Sequence, residues 1–305
     1  MSIFFKGQPD LPPIAIIDIG SNSVRMVIFR SADPVLIEKE QCFLGRDLLK
    51  TGLLPPKACK KVRKTIKKFI EITKEHNIKT IIAIGTAAVR AASDGREFVK
   101  SLEKEFGLSI SIIPGDEEAR LSALGVISRA PSAQGIVADL GGGSIELAHV
   151  KDGKVGKALS LPLGSLILAD YGKDLRKVLK ESFSGLSPDF RQKEPLYVVG
   201  GTLRAIAKIS IKMTKQKYEL HGYRMSRKQI AEVCEHIREF TPSALVKKYK
   251  VQSSRAKTLK PSTILLEELV AELEIPEIIV SLGGLRDGVL REYFERQKKT
   301  NNNVS

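Results

Sequence analysis

Two short stretches of the chain share a pattern of residues that can bind phosphate. The first is Asp18-Ile19-Gly20-Ser21-Asn22-Ser23-Val24-Arg25, and the second is Asp139-Leu140-Gly141-Gly142-Gly143-Ser144-Ile145-Glu146. In each, an aspartate ends an apolar run, small residues follow, and a second apolar run begins. Backbone N–H groups in small-residue turns bind phosphate, and an aspartate at the strand end can hold a cation that bridges to it. The repetition therefore predicts a pair of phosphate-binding turns.

Both stretches predict a β-hairpin, because a strand, a tight turn and a returning strand share this pattern. Pairing across the turns places Asp18 opposite Arg25, and Asp139 opposite Glu146. The two acids of the second pair would repel each other unless a cation, a shared proton or a water network lies between them. Glycine is expected in such turns for its positive φ, and a single hairpin is most often only structural. Two hairpins in register instead predict a duplicated domain whose turns face each other across a cleft.

Three further segments each have a structural and a functional interpretation. Gly85-Thr86-Ala87-Ala88-Val89-Arg90 opens a helix after a strand, so it predicts either an anion site with Arg90 in the cleft or an N-cap with a surface arginine. Three successive acids, Asp116, Glu117 and Glu118, also open a helix. Acidic residues at a helix N-terminus usually lie at the surface and interact favourably with the helix dipole. Gly201 and Thr202 follow a strand and form a third candidate phosphate or nucleotide loop.

The net formal charge of +15 over 305 residues favours a polyanionic partner. Most of the positive surplus lies in the second half, where Lys247, Lys248 and Lys250 form one cluster that we expect to contact long substrates. Aromatic residues make up only 6% and Trp is absent, so platforms for stacking single-stranded nucleic acid are few. Among polyanions, a phosphate polymer or an acidic membrane surface therefore stays open on the charge alone, and we expect no specific nucleic acid.

Composition predicts a folded two-domain protein of the cytoplasm. Hydrophobic residues make up 42%, no apolar run approaches the length of a membrane span, and the N-terminus lacks a basic segment followed by an apolar core. Cys42, Cys59 and Cys234 are odd in number and show no CxxC spacing, which predicts free thiols in a reducing compartment. Strands and helices alternate, with a basic helix near 56–75, and beyond residue 220 the pattern predicts helices and one strand at 278–281.

With these motifs the chain resembles the exopolyphosphatase/guanosine pentaphosphate phosphohydrolase (Ppx/GppA) family of the actin-like ATPase superfamily. The resemblance extends to Gly115-Asp116-Glu117-Glu118-Ala119-Arg120 and Ser281-Leu282-Gly283-Gly284-Leu285-Arg286-Asp287-Gly288, although Asp287 stands where the family commonly has Glu and Ile145 where it commonly has Thr. It implies an α/β fold of duplicated actin-like (ribonuclease H-like) domains with an interdomain cleft. The implied domains are residues 1–130 and 131–290, with a helix at 291–305 that packs back on the first.

The resemblance also implies roles for individual residues. Glu118 would be the general base that activates the attacking water, although residue chemistry alone does not separate it from Glu117. Asp139 and Glu146 would hold that water or a divalent cation, Mg²⁺ or Mn²⁺, and Asp18 would add to the metal site. The predicted phosphate-binding set is Asn22, Ser23, Arg25, Arg90, Gly142, Gly143, Ser144, Gly201 and Thr202.

Four functions remain open on the sequence. Within the family, the chain is expected either to release orthophosphate from the ends of inorganic polyphosphate or to hydrolyse the 5′ γ-phosphate of guanosine pentaphosphate. A non-hydrolytic actin-like nucleotide-binding protein is disfavoured by the motif around Glu118, and a nucleic-acid-binding protein by the missing aromatics. The basic second half favours the long polyanion. We expect no membrane partner, and a homodimer is compatible with the pattern.

Overall fold

The first half of the chain folds around a mixed five-stranded sheet, seen in a computed structural model that describes residues 12–31, 33–215 and 217–302. Its strands are β1 (Ile14–Ile19), β2 (Ser23–Arg30), β3 (Asp33–Gln41), β4 (Thr80–Gly85) and β5 (Ile110–Ile112). Its helices are α1 (Leu48–Thr51), α2 (Pro56–Glu75), α3 (Ala87–Ala91), α4 (Gly95–Phe106) and α5 (Gly115–Arg129). The strand order is β3-β2-β1-β4-β5, with β2 antiparallel to β1 and β3 and with β4 parallel to both β1 and β5.

The second half folds around a six-stranded sheet. Its strands are β6 (Gly135–Leu140), β7 (Ile145–Lys151), β8 (Lys154–Leu161), β9 (Leu196–Val199), β10 (Arg224–Ser226) and β11 (Glu277–Val280). Its helices are α6 (Leu175–Ser184), α7 (Gly201–Thr214), α8 (Arg227–Glu239), α9 (Pro242–Tyr249), α10 (Ser253–Glu272) and α11 (Leu285–Asn302), with 3₁₀ turns at Leu168–Asp174 and Pro188–Phe190. The strand order is β10-β11-β9-β6-β7-β8.

The two sheets repeat one topology. Read from β8, the second sheet runs β8-β7-β6-β9-β11, which matches β3-β2-β1-β4-β5 in order and in strand direction. Each sheet thus consists of an antiparallel three-strand meander extended by two parallel strands. The predicted fold class, an α/β architecture of duplicated actin-like domains, is confirmed.

The sequence pattern did not predict one strand of the second half. The prediction placed a single strand beyond residue 220, whereas the structure adds β10, which pairs antiparallel with β11 at the edge of the sheet. Only Met225 of its three residues is buried, so the strand is too short to show an alternation of apolar and polar residues. The prediction of one strand was therefore wrong.

Helix α5 lies between the two sheets and connects them. On one side Leu121 and Leu124 pack with Ile14 and Ile16 of the first sheet, and on the other side Ala123 and its neighbours pack against the second sheet. A helix that is buried on opposite faces has no single apolar stripe, which explains why α5 carries small and apolar residues all round. Its N-terminal turn is thereby held at the junction of the two sheets.

Helix α11 lies against α5 and against the first sheet, where Leu285, Val289 and Phe294 join the cluster around Ile14. The predicted domain boundaries stay a prediction, and residues 1–11 and 303–305 of the predicted ranges lie outside the described residues. The three cysteines are free, as predicted. Within the described residues, no helix combines the length and the apolar character that a membrane crossing requires.

Candidate active site

The first hairpin places a row of charged residues at the end of its sheet. Asp18 of β1 pairs with Arg25 of β2, as predicted, and Arg25 in turn pairs with Lys39 of β3. All three side chains line a cleft between the two halves of the chain. The row therefore presents one carboxylate followed by two cations.

The second hairpin presents a different row at the same position of the repeat. Asp139 of β6 pairs with Glu146 of β7, again as predicted, and Glu146 pairs with Ser160 of β8. Ser160 Oγ donates a hydrogen bond of 2.8 Å to Glu146 Oε1, and Ser122 Oγ of α5 donates one of 2.8 Å to Asp139 Oδ2. The first hairpin and β3 thus supply two cations and one carboxylate, and the second hairpin supplies two carboxyl groups.

The turns of the two hairpins meet across the cleft. A Cβ atom added to Gly143 would lie 2.6 Å from Ser21 Oγ and 3.1 Å from Ala87 Cβ, and one added to Gly142 would lie 3.1 Å from the backbone nitrogen of Asn22. Contacts this short leave no room for a side chain at either glycine. The predicted facing of the two turns is confirmed.

The reason for these glycines differs from the one expected. Neither Gly142 nor Gly143 has a positive φ, so the turn does not require the left-handed region. The expectation that Gly143 relieves backbone strain was therefore wrong. Lack of space between the hairpins, which an isolated turn does not reveal, explains the requirement.

Two buried polar atoms lie at the contact between the turns without a hydrogen-bond partner. They are Ser21 Oγ and Asn22 Oδ1, and both residues line the cleft. An unpaired buried polar atom costs free energy, so such atoms are normally satisfied by protein, water or a bound group. Their position fits a site that is completed by polar groups from outside the chain.

Glu118 is the carboxyl group that α5 directs into the cleft. It is buried, with 8% of its surface exposed, and its Oε2 accepts a hydrogen bond of 2.8 Å from Arg90 Nη1. Arg90 is held in turn by the carbonyl oxygen of Ile113 at 3.0 Å. Burial raises the pKa of Glu118 to about 7, against the opposing hydrogen bond and charge of Arg90. Glu118 therefore exchanges a proton near neutral pH.

Glu117 is oriented away from this site. Its carboxylate pairs with Arg120 at 2.7 Å, and Arg120 also pairs with Glu292 of α11 at 2.5 Å. Glu117 is absent from the described residues that line the cleft, whereas Glu118 is among them. The structure thus separates two adjacent acids that the sequence left equivalent.

Three carboxyl groups, those of Glu118, Asp139 and Glu146, line the cleft close to one another. Burial raises the pKa of Asp139, although the hydrogen bond from Ser122 opposes this. Burial, and then the charges of Glu118 and Asp139, raise the pKa of Glu146 well above its ordinary range. Because each ionised carboxylate disfavours the next, the group favours a proton or a cation among its members.

Cations also line the wall of the cleft. Arg286 Nη1 lies 2.5 Å from Asp18 Oδ2, and the charge of Arg286, followed by burial, lowers the pKa of Arg25 to about 10. Burial, and then the charge of Arg25, lowers the pKa of Lys39 to about 8. Like charges held together and partly desolvated form a strong site for a multivalent anion.

Arg204 and Arg255 complete this wall from the second half. Arg204 of α7 is fixed by its Nε donating to the carbonyl oxygen of Ser281 at 2.9 Å. The guanidinium of Arg255, at the start of α10, lies in the space that a side chain at Gly201 would occupy. Gly201 and Thr202 both line the cleft, as does Arg255. The absence of a side chain at Gly201 leaves the space that the Arg255 guanidinium occupies.

The structure brings together all but one of the residues predicted for the site. Arg90 is the exception, because it lies behind Glu118 and does not line the cleft. The residues that the prediction missed are Lys39, Arg204, Arg255 and Arg286. The position of Lys39 in the site could be predicted from the pairing of β3 with β2, which places Lys39 beside Arg25. Arg255 reaches the site because α10 packs there, and no local sequence pattern indicates this.

The predicted metal site has suitable donors but few of them. Asp18, Asp139 and Glu146 offer the carboxylate oxygens that Mg²⁺ and Mn²⁺ prefer. Among the described residues, however, no group of three acidic, histidine or cysteine side chains lies close enough to hold an ion. The donor set fits an ion that is bound by one or two carboxylates and completed by water and substrate phosphates, as is common for Mg²⁺.

Known proteins share this architecture. An exopolyphosphatase from Cytophaga hutchinsonii superposes with a TM-score of 0.83 at 24% identity, over 93% of this chain and 98% of that one. An Aquifex aeolicus PPX-GPPA enzyme superposes with a TM-score of 0.74 at 26% identity, over 92% and 98%. Residues 27–297 match the Ppx/GppA phosphatase family. The match covers well over half of the chain, from within β2 into α11, and the chain therefore belongs to the Ppx/GppA phosphatase family.

Proposed function

We propose that this protein is an exopolyphosphatase, which releases orthophosphate from the ends of inorganic polyphosphate. The observation that carries the proposal is the buried Glu118, whose pKa is raised to about 7, in a cleft that Arg25, Arg204, Arg255 and Arg286 also line. Hydrolysis of a terminal phosphoanhydride needs a base for water and positive charge on the phosphate oxygens. The cleft offers both within one site.

In this proposal Glu118 accepts a proton from the water that attacks the terminal phosphorus. The new bond joins the water oxygen to phosphorus, and the bond to the bridging oxygen breaks. The negative charge that develops on the leaving chain is stabilised by Arg25 and Arg286 of the cationic wall. Arg90 orients Glu118 through the 2.8 Å hydrogen bond, so it acts as a positioning residue.

The two hairpin turns would hold the terminal phosphoryl group. Gly142 and Gly143 of the second turn lie beside the first turn, and Asn22, Ser23, Gly142, Gly143 and Ser144 all line the cleft. A hydrogen bond to a charged phosphate oxygen contributes more than one between neutral groups. The unpaired Asn22 Oδ1 lies in the same place and can accept a hydrogen bond from the attacking water.

We further propose that a divalent cation, Mg²⁺ or Mn²⁺, is bound by one or two of the carboxylates of Asp139, Glu146 and Asp18, and that water and substrate phosphates complete its coordination. When bound, such an ion neutralises charge on the phosphate oxygens and polarises the phosphoryl group. Removal of the ion with EDTA is expected to lower the turnover of polyphosphate by about 10²-fold or more, because several kcal/mol of transition-state stabilisation are lost. Recovery on adding Mg²⁺ or Mn²⁺, but not Na⁺, is the measurement; full turnover in EDTA would contradict the metal site.

Guanosine pentaphosphate is the alternative substrate. Its terminal phosphoanhydride could occupy the same cleft, but no aromatic ring for stacking a guanine is among the described residues that line it. We therefore expect kcat/KM for polyphosphate to exceed that for guanosine pentaphosphate. Orthophosphate release from both substrates, measured with Mg²⁺ at equal concentrations of ends, tests this. A higher kcat/KM for the nucleotide would reverse the assignment, and release from neither would support a non-hydrolytic protein.

The pH dependence of hydrolysis follows from the raised pKa of Glu118. A base must be ionised, so kcat/KM is expected to fall about tenfold per pH unit below pH 7 and to level off above it. The residual rate of Glu118→Gln on the same substrate is the control, because an inflection that belongs to the substrate persists in that variant. A value of kcat/KM that stays constant in the wild type from about pH 5.5 to about pH 7.5 would contradict this role.

Arg90 should shift that profile. Because Arg90 lowers the pKa of Glu118, Arg90→Gln is expected to move the midpoint of the acidic limb to higher pH. A merely structural role would change kcat without moving the midpoint. Profiles of kcat/KM against pH for both proteins give the answer, with the folded state checked by circular dichroism.

A further inference from the structure

A groove lies between β3 and α2 in the first half of the chain, on the face of the edge strand β3 opposite to the one that borders the cleft. Glu38, Lys39 and Glu40 of β3 line one side of it, and Lys39 also lines the cleft. The other side consists of α2 residues, namely Lys61, Lys64, Thr65, Lys67, Lys68, Phe69 and Glu71. The groove and the cleft thus share one side chain.

The groove is basic after its ion pairs are counted. Lys61 pairs with Glu40 at 2.6 Å, and Lys68 pairs with Glu38 at 2.7 Å. Lys64 and Lys67 are both exposed, and within the described part of the chain neither forms an ion pair. Lys39 has no acidic partner in β3, and its neighbours in the cleft are Arg25 and Arg255. Glu71 of α2 also lines the groove and offsets one of these charges, so Lys39, Lys64 and Lys67 leave a surplus of two positive charges.

The arrangement of these lysines suits an extended anion. Asp18, Arg25 and Lys39 form a row that leads from the catalytic end of the cleft to the edge strand of the first sheet. On the other side of this edge strand α2 presents lysines three or four residues apart, whose Cβ atoms lie about 5–6 Å from each other along one helix face. A polymer that follows the row therefore reaches these lysines by turning around β3. A chain of phosphates carries negative charge along its whole length. In a nucleotide the negative charge is confined to its few phosphates.

We propose that the groove between β3 and α2 is a second binding surface for the substrate, which holds the distal part of a long phosphate polymer whose end lies in the cleft. The inference rests on the proposed function, because it requires a polymer end at Glu118. It also replaces the expectation that the cluster of Lys247, Lys248 and Lys250 contacts long substrates. Lys247 and Lys250 line neither the cleft nor the groove, and Lys248 lies over the rings of Phe240 and Tyr249.

The test compares two variants that each lose two exposed charges. Lys64→Gln/Lys67→Gln removes the unpaired charges of the groove, and Lys247→Gln/Lys250→Gln is the matched control outside it. For the groove variant we expect KM for long polyphosphate to rise several-fold with kcat unchanged, and kinetics on tripolyphosphate to equal those of the wild type. The slope of log affinity against log salt for the long chain should also become shallower by about one per lysine removed. The control variant should match the wild type on both substrates.

Failure of the groove and failure of the proposed function give different results. An unchanged KM for long polyphosphate in the groove variant, or an equal rise in the control variant, would overturn the groove. If the wild type hydrolyses neither chain, the proposed function fails, and direct binding of labelled long polyphosphate then judges the groove separately. In that measurement, equal Kd values for the groove variant and the wild type would also overturn it.

Discussion

Glu118→Gln is expected to remove turnover of polyphosphate while leaving the fold and substrate binding intact. Glutamine has the shape of the protonated acid but cannot accept the proton of the attacking water, and loss of a general base typically costs about 10²–10⁴ in rate. Steady-state phosphate release gives kcat, and equilibrium binding of polyphosphate gives Kd. We expect kcat to fall by this factor and Kd to change little.

The matched control for this variant is Glu117→Gln. Glu117 is the preceding residue on the same helix and pairs with Arg120 away from the cleft, so its loss removes an ion pair that is partly open to solvent. Turnover of Glu117→Gln should stay close to that of the wild type. If Glu118→Gln retained near-wild-type turnover and Glu117→Gln lost it, the base would have to be reassigned.

Stability should change in the opposite direction from activity. The folded-state pKa of Glu118 is about 7 against an ordinary value of 4.5, so the folded protein binds the proton more tightly than the unfolded chain. Ionisation of Glu118 therefore destabilises the fold progressively as pH rises from 4.5 through 7. Glu118→Gln should be more stable than the wild type at pH 8, by at most about 3 kcal/mol, and nearly equal at about pH 4.5. Urea unfolding at both pH values is the measurement.

Gly143→Val is expected to abolish most activity by separating the two hairpin turns. Its Cβ would lie 2.6 Å from Ser21 Oγ and 3.1 Å from Ala87 Cβ, so the turns must move apart. A displacement of about 1 Å at a catalytic site can cost about 10² in rate, and overpacking costs about 1–3 kcal/mol of stability. Phosphate release and urea unfolding test the two effects.

Two further variants separate the contact from a general effect of valine. Gly185→Val introduces the same side chain at the end of α6, where only Glu181 O lies within reach, at 3.9 Å, and it should leave kcat unchanged. Ser21→Ala removes the hydroxyl that Gly143→Ala would meet, so the double variant should recover part of the activity that Gly143→Ala loses. Full activity of Gly143→Val would mean that the contact between the turns has no part in catalysis.

Local pattern was sufficient to predict the hairpins and the pairs within them. Asp18 with Arg25, and Asp139 with Glu146, follow from the position of the small residues between two apolar runs, because pairing in a hairpin is determined by its turn. The repetition of this pattern predicted the duplicated fold for the same reason. These inferences needed no knowledge of distant contacts.

Features that depend on contacts between distant segments could not be predicted in this way. Glu118 differs from Glu117 only because α5 is buried between two sheets, and its amphipathic pattern is accordingly weak. Arg255 enters the site because Gly201 leaves space for it, although 54 positions separate the two residues. The glycines of the second turn were expected for a positive φ, but their φ angles are ordinary, and the close approach of the neighbouring hairpin explains the need for glycine there.

Hydrolysis of polyphosphate of defined length in ¹⁸O-labelled water, with Mg²⁺ and with mass analysis of the products, tests the central claim most directly. The account predicts that the wild type releases orthophosphate with one labelled oxygen and leaves chains shortened by one unit. It predicts that Glu118→Gln releases almost none. Internal cleavage into shorter chains, or labelled orthophosphate formed equally fast by Glu118→Gln, would contradict terminal hydrolysis by a water that Glu118 activates.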